Sequence, residues 1–472
     1  MGRILSQIKH IVVVMLENRS LDNMCGWIYS NPAKQPTLYL PADSPRVYNG
    51  LDTALWNPSN ATYFSGQPAV KVPVVRGTSS YTVPNPDPKE TFDHVQYQIY
   101  GPPKATQKTS MLGFVVDYQY ATATDANQIM EAYTTDQVPV ISALAQNYAI
   151  SDAWFCSVPS NTWPNRSFLH AGTSNGNVNN GNLPNPLQWN VLTIFNVLNS
   201  INVGWNVYSD AEVAPSLTRT MFPKLWDAHL DSHFHHFDDF QRDCAAGSLA
   251  PYSFIEPNFL SSPNDEHPPH DVSAGEKFLF DTWQAVSQSP SWKETLLIIT
   301  YDEHGGCYDH VLPPQGAVPP DKASDPGQES FRFDRFGVRV PLVLVSSYVQ
   351  AGTVFRSDTS VSYDHTSILA TLRDWIGISS SDMLPSARIA AAPNLAQVLT
   401  LSQPRTDIPT VPRPLRDAPP ASLSLPPNPV QQSLVSGAAY RFGEDPAAVV
   451  VQAKTCQHAI DFFRSHASRA HS

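Results

Sequence analysis

Residues 301–311, YDEHGGCYDHV, place Asp302, Glu303 and His304, two glycines and a second Asp–His pair (Asp309, His310) within one short stretch. Ionisable groups at that density suit a divalent cation, an anionic substrate or a structural ion pair. The preceding run TLLIIT (295–300) is β-branched and aliphatic and reads as a strand buried on both faces. Asp302 and Glu303 therefore stand where a buried strand ends, the edge at which α/β sheets bind ligands. Asp302 has the chemistry of a metal ligand, and Glu303 that of a ligand or proton carrier. A second such place follows HIVVVML (10–16): Glu17 and Asn18 offer a carboxylate and an amide oxygen to a hard or borderline cation, or form a turn with an Asn cap.

The segment SVPSNTWPNRSFLHAGTS (157–174) sets Thr162 in a Pro-bounded turn, with Asn165 and Arg166 just beyond. A hydroxyl there becomes a nucleophile once a cation lowers its pKa. Asn165 and Arg166 could hold phosphate oxygens, Arg166 through its bidentate fork. The alternative is an ST-turn with a structural Arg. Histidines come from NDEHPPHD (His267, His270) and SYDHTS (His365), each able to act in acid–base chemistry or simply to be hydrogen-bonded. The tract DSHFHHFDDF (231–240) resembles a metal site by composition only, since adjacent histidines seldom face one ion.

Buried strands are expected at 10–16, 203–209, 295–300 and 340–347, alternating with helices at 193–201, 273–289 and 363–377. Ser273 and Glu276 have the spacing of a capping box, and Gly377 that of a C-cap. This alternation implies an α/β fold, with a mainly parallel central sheet between helices. Residues 30–90 are expected to be loops wrapping one side of the core. Nine prolines make 404–429 an extended, semi-rigid linker between a body at 1–403 and an extension at 430–472. The extension reads as one amphipathic helix, capped by Asp445, with Val449, Ala453, Cys456, Ile460 and Phe463 on one stripe. That stripe needs cover from the core, a second subunit in a homo-oligomer, or a membrane.

At 472 residues the chain can hold a large core. A net charge of −12 argues against nucleic acid as a partner, while leaving a lipid head group open as a substrate. Five cysteines, an odd number without a CxxC pair, argue against a disulfide framework and a cysteine zinc cluster. The apolar run at 11–16 is too short for a signal peptide or a membrane span. Cytoplasmic residence, or export without a cleaved signal, is the expectation.

The segments IKHIVVVMLENRSLDNMCG, TWPNRSFLHAGTS, YSFIEPNF, HPPHDVSAGEKF, WKETLLIITYDEHGGCYDHVLPP, FGVRVPLVLVSSYVQAGTV and YDHTSILATL, in that order across residues 7–377, resemble a bacterial phosphoesterase family. That family contains phosphatidylcholine-preferring phospholipases C and related acid phosphatases, within the alkaline phosphatase superfamily. The resemblance implies an alkaline phosphatase-like sheet. It implies a divalent metal (zinc, manganese, magnesium or calcium) held by Glu17, Asn18, Thr162 and Asp302, with Thr162 as nucleophile. It assigns acid–base and phosphate-holding roles to Glu303, His267 and His365, alongside Asn18 and Arg166. The implied reaction is phospholipase C hydrolysis of phosphatidylcholine to diacylglycerol and phosphocholine, with transient contact at a membrane surface. The alternatives are a phosphomonoester-cleaving acid phosphatase, or an inactive binding or assembly protein on the same fold. In one place the chain departs from the pattern. Many members have a histidine in a DPxH segment where this chain has Glu90, with His94 nearby, so Glu90 and His94 are the candidates to complete the phosphate pocket.

Overall fold

β-Branched side chains pack well on a pleated surface, and the run at 10–16 forms strand β1 (His10–Leu16). A computed structural model describes residues 5–106, 110–121, 123–181 and 185–466. In it β1 belongs to a nine-stranded sheet with β2 (Leu38–Leu40), β3 (Ala149–Ser151), β4 (Trp205–Ser209), β5 (Phe234–His236), β6 (Tyr252–Glu256), β7 (Thr295–Tyr301), β8 (Leu342–Val345) and β9 (Thr353–Phe355). The order is β2-β9-β3-β8-β7-β1-β6-β4-β5. Neighbours are parallel except at β8, which runs antiparallel to β7 and β3. The mainly parallel α/β sheet is therefore present, with one reversed strand inside it.

Every residue of β7 and β8 is buried, which requires cover on both faces. The main helices are α1 (Phe92–Tyr100), α2 (Pro139–Asn147), α3 (Thr162–Ala171), α4 (Ile194–Ser200), α5 (Val272–Gln288), α6 (Thr366–Ile376), α7 (Pro429–Phe442), α8 (Pro446–Gln452) and α9 (Cys456–Ser465). One group packs α5 against α2 and the helix Phe237–Ala246, and another packs α3 against α4 and α6. Gly377 ends α6 in the left-handed region, at φ 77°. Leu16 of β1 pairs in register with Tyr301 of β7, so the two parallel strands end level.

The structure corrects several expectations. Asp271, not Ser273, caps α5. Glu276 instead turns its carboxylate to the start of α2, accepting from Val140 N (2.5 Å) and Ile141 N (3.0 Å). Strands β2, β3, β5, β6 and β9 were not foreseen, most of them being too short to show a period. In the histidine tract, His233 stacks on Trp205 at 3.9 Å, His235 stacks on Tyr208 and His236 caps the next helix, so the tract has a structural role. All five cysteines are free and buried.

Residues 404–428 run without a helix or strand and are pinned to the body. Arg405 Nη1 donates to Asn147 O (2.8 Å), Val411 joins the main core, and Arg416 pairs with Asp271 at 2.7 Å. Three helices follow, rather than one. Asn428 and Gln431 form a capping box on α7, with Pro429 in its first turn. Helix α7 is buried almost all round, so it has no polar face and no amphipathic period to read. The stripe from Val449 to Phe463 is largely covered, but the helix breaks at Ala453 and restarts behind Thr455, whose side chain caps α9. These helices bury Leu434, Ala438, Ile460 and Phe463 against Leu217, Phe259 and Leu260 of the body. The stripe thus docks on its own chain. A Cβ at Gly437 of α7 would come within 2.8 Å of Thr220 Cγ2 and 3.2 Å of Trp163 Cη2. No helix among the described residues is long and apolar enough to cross a membrane.

Candidate active site

The level ends of β1 and β7 bring Glu17–Asn18 and Asp302–Glu303 side by side. Asp302 N donates to Leu16 O at 3.2 Å. Asp302 Oδ1 accepts from Asn18 N (2.9 Å) and Glu303 N (2.8 Å). Asn18 adopts a left-handed φ of 54° to make this turn. Gly305, at φ 59°, crosses it so closely that a Cβ would sit 2.4 Å from Asn18 O. Only glycine fits there, which explains the first glycine of DEHGG.

Strand β3 leads through residues 152–161 to Thr162, the first residue of α3. The side chain of Asn165 holds this loop. Its Oδ1 accepts from Val158 N (2.9 Å), and its Nδ2 donates to the carbonyls of Val158, Ser160 and Asn161. Its amide is therefore committed to the turn, correcting the expectation that it could hold phosphate. Thr162 Oγ1 donates to Glu17 Oε2 at 3.3 Å. Arg166, one turn along α3, donates through Nε (2.8 Å) and Nη2 to Glu17 Oε1, leaving Nη1 without a partner among the described residues.

Glu90 accepts from Asn18 Nδ2 at 2.6 Å, so the residue at the departure from the DPxH pattern lies at the cluster. His94 turns to Asp117 (2.8 Å) and Tyr120 instead, and the bond to Asp117 raises its pKa. His267 Nδ1 lies 2.7 Å from Pro268 O. Since a carbonyl only accepts, Nδ1 carries the hydrogen and Nε2, buried and unpartnered, presents a lone pair. By the same logic His365 donates from Nε2 to Asp302 O (2.6 Å) and keeps a lone pair on Nδ1. The structure thus gathers Glu17, Asn18, Thr162, Arg166, Asp302 and His365 in one chain of contacts and joins Glu90 to it through Asn18.

Two site carboxylates are absent from the expected set. Asp265 O accepts from Glu17 N (2.9 Å), and Asp265 Oδ1 takes His267 N (3.0 Å) and His270 Nδ1 (2.6 Å). Asp87 Oδ1 lies 3.7 Å from His267 Nδ1. Ligand atoms of Asp87, Glu90 and His267 lie within 4.8 Å of one another. The cues were present in the sequence: an acid two residues before His267, and the Pro-framed acids of PDPKE. A similar group, Asp22, Asp309 and His310, is neutralised by Arg339, which pairs with both acids at 2.9 and 3.0 Å and is structural.

Burial, and then Asp302, push the Glu17 carboxyl well above the ordinary range, and Arg166 only partly offsets this. Burial followed by Asp302 takes Glu90 up to about 8. Glu303 is raised well above the usual value by burial and then by Glu90 and Asp302. Burial lowers His267 to about 4 and also lowers His365. Among the described residues, Asn18 Oδ1, Glu90 Oε1, Asp265 Oδ2, Asp302 Oδ2, Glu303 Oε1 and His267 Nε2 are all buried without a hydrogen-bond partner. Unpartnered acceptors in a dry site are costly unless a cation faces them. The oxygen-rich set with a histidine nitrogen fits a divalent ion.

The sequence matches the Phosphoesterase family over residues 8–379. Relatives include the non-specific phospholipase C6 of Arabidopsis thaliana, 34% identical over 86% of this chain and 74% of that protein. The non-specific phospholipase C3 of the same plant is 33% identical over 86% and 76%. Phospholipase C B of Mycobacterium tuberculosis is 27% identical over 87% and 83%. Solved structures with partial likeness include an alkaline phosphatase superfamily protein from Vibrio parahaemolyticus (TM-score 0.31, 12% identity, 54% of this chain and 64% of that one). Another is the phosphonate monoester hydrolase of Agrobacterium radiobacter (TM-score 0.31, 14% identity, 67% and 80%). These overlaps are too loose to bear on activity. The match over residues 8–379, with the sheet edge and acid cluster described above, identifies the chain as a member of the Phosphoesterase family.

Proposed function

We propose that this protein is a metal-dependent phospholipase C that hydrolyses phosphatidylcholine to diacylglycerol and phosphocholine through a phosphorylated Thr162. The observation that supports this most is the placement of Thr162 Oγ1 on Glu17, beside Asp302 and Asn18 at one sheet edge, in a chain whose relatives bear the name phospholipase C. Glu17, Asn18, Asp302 and Thr162 are the residues that would hold the divalent ion. When bound, it would supply positive charge against the phosphoryl oxygens and lower the pKa of the threonine hydroxyl.

In the first displacement the Thr162 hydroxyl gives its proton to Glu17, with which it is already hydrogen-bonded. Thr162 Oγ1 bonds to phosphorus as the bond from phosphorus to the glycerol oxygen breaks. Glu303, kept protonated by burial and its acidic neighbours, gives its proton to the leaving alkoxide. In the second displacement water attacks phosphorus, the Thr162 Oγ1–phosphorus bond breaks, and Glu17 returns its proton to Thr162 Oγ1. His267 Nε2, a lone pair on a neutral ring, takes the water's proton. Arg166 offsets the charge on Glu17 and positions it, its one free Nη1 remaining for a phosphoryl oxygen. Two in-line steps retain configuration at phosphorus. The substrate lies in a lipid layer, so turnover requires transient contact with a membrane surface.

The test compares the protein with Thr162→Ala on phosphatidylcholine and on a soluble phosphomonoester, before and after chelation. We expect diacylglycerol and phosphocholine from the parent, and a fall of about 10³-fold or more in the variant and on chelation. Cleavage of the monoester alone would make the protein a phosphatase. Full activity in the variant would remove Thr162 as nucleophile.

A further inference from the structure

An apolar cavity of about 850 Å³ opens beside the acid cluster, between the body and the proline-rich segment. Leu260 and Ala274 line it from the body, and Pro420, Leu423, Leu425 and Pro429 from the segment that follows residue 403. Its inner end shares residues with the site. Asp87, which lines it, lies 3.7 Å from His267, and His270, also lining it, holds Asp265. Leu260 follows Phe259, whose ring lies 5.4 Å from the Arg166 guanidinium. At the outer end Leu425 is 57% exposed. The size is that of a small-molecule site, about 300–1,000 Å³.

We infer that this cavity takes an acyl chain of the phospholipid whose phosphate lies at Thr162, and that the C-terminal segment thereby builds half of the substrate site. This rests on the phospholipase C reading for its substrate, but not for the existence of the apolar site. A mainly apolar cavity whose lining also reaches Asp87 and His270 beside the acid cluster matches an amphiphile with its polar end at the acids. A soluble monoester has nothing to place there.

Two variants on the exposed segment test it without touching the catalytic residues: Leu425→Glu puts a charge at the mouth, and Ala421→Trp fills the space. Both are assayed on dipalmitoyl phosphatidylcholine in mixed micelles and on p-nitrophenylphosphorylcholine, which has no acyl chain. The expected result is a loss of about tenfold or more in kcat/KM on the lipid with about twofold or less on the soluble diester, at an unchanged melting temperature. Equal losses on both substrates, or none on either, would overturn the inference. Binding of pyrenedecanoic acid to the full chain, followed by pyrene fluorescence, separates the two readings. If the parent hydrolyses neither substrate, the phospholipase C reading fails. Probe binding that Leu425→Glu abolishes still upholds the acyl site, whereas no binding, or equal binding, overturns it.

Discussion

At the residue scale the candidate site gathers buried carboxyls whose pKa values are raised by burial and by one another. Glu90, taken up to about 8 by burial and then Asp302, holds a proton at neutral pH when no ion is bound. Under the proposed function a cation held beside Asn18, which contacts Glu90, displaces that proton. Metal binding is therefore expected to release about one proton at pH 7 and to tighten as pH rises from 6 towards 8. Titration calorimetry in buffers of different ionisation enthalpy reads the proton directly, and affinity independent of pH would refute it. Glu303→Gln makes a second prediction. Lacking its acid, it should lose about 10²-fold or more on esters with alkyl leaving groups, yet little on p-nitrophenyl esters, whose leaving group needs no proton. Equal losses would show that Glu303 acts by holding the site together. Among the candidate residues, Glu17, Asn18, Asp302, Glu303 and Thr162 were legible because each follows a buried strand or opens a helix. Asp87 was hidden because its loop has no period, and only folding brings it to His267.

At the element scale a single side chain links two helices. Glu276, buried on α5, takes the two backbone donors at the start of α2. A helix start leaves such N–H groups without internal partners. Glu276→Ala should therefore cost about 1–3 kcal/mol in denaturant unfolding, with activity per folded molecule unchanged. A change under the experimental error would mean that water replaces the carboxylate. In the sequence Glu276 has the spacing of a local capping box, and nothing local distinguishes that role from capping a helix distant in sequence. The same limit explains α7. Its capping residues were readable, but burial on nearly every side erased the period that marks a helix.

At the scale of the whole molecule, the last three helices and the segment before them complete the body. Leu217, Phe259 and Leu260 are buried by α7 and α9, and Phe259 in turn meets Arg166. Ending the chain at residue 403 should expose this apolar surface. The expected outcome is a lower melting temperature and strong binding of an apolar dye, with lipid hydrolysis falling further than the soluble reaction. A truncated protein with the parent's melting temperature would show that the extension is an independent appendage.

The sequence by itself determined the sheet's central strands, the order of the motifs, and the residue types at the strand ends, because hydrophobic period and turn chemistry are local properties. It also determined that the C-terminal stripe needed cover. Only the tertiary structure decided that β8 runs antiparallel, that Glu90 rather than His94 meets Asn18, that Asn165 is committed to its loop, and that the stripe docks on its own chain. Those outcomes depend on which surfaces and unpartnered groups meet across hundreds of residues, and that pairing is set by packing the whole core at once.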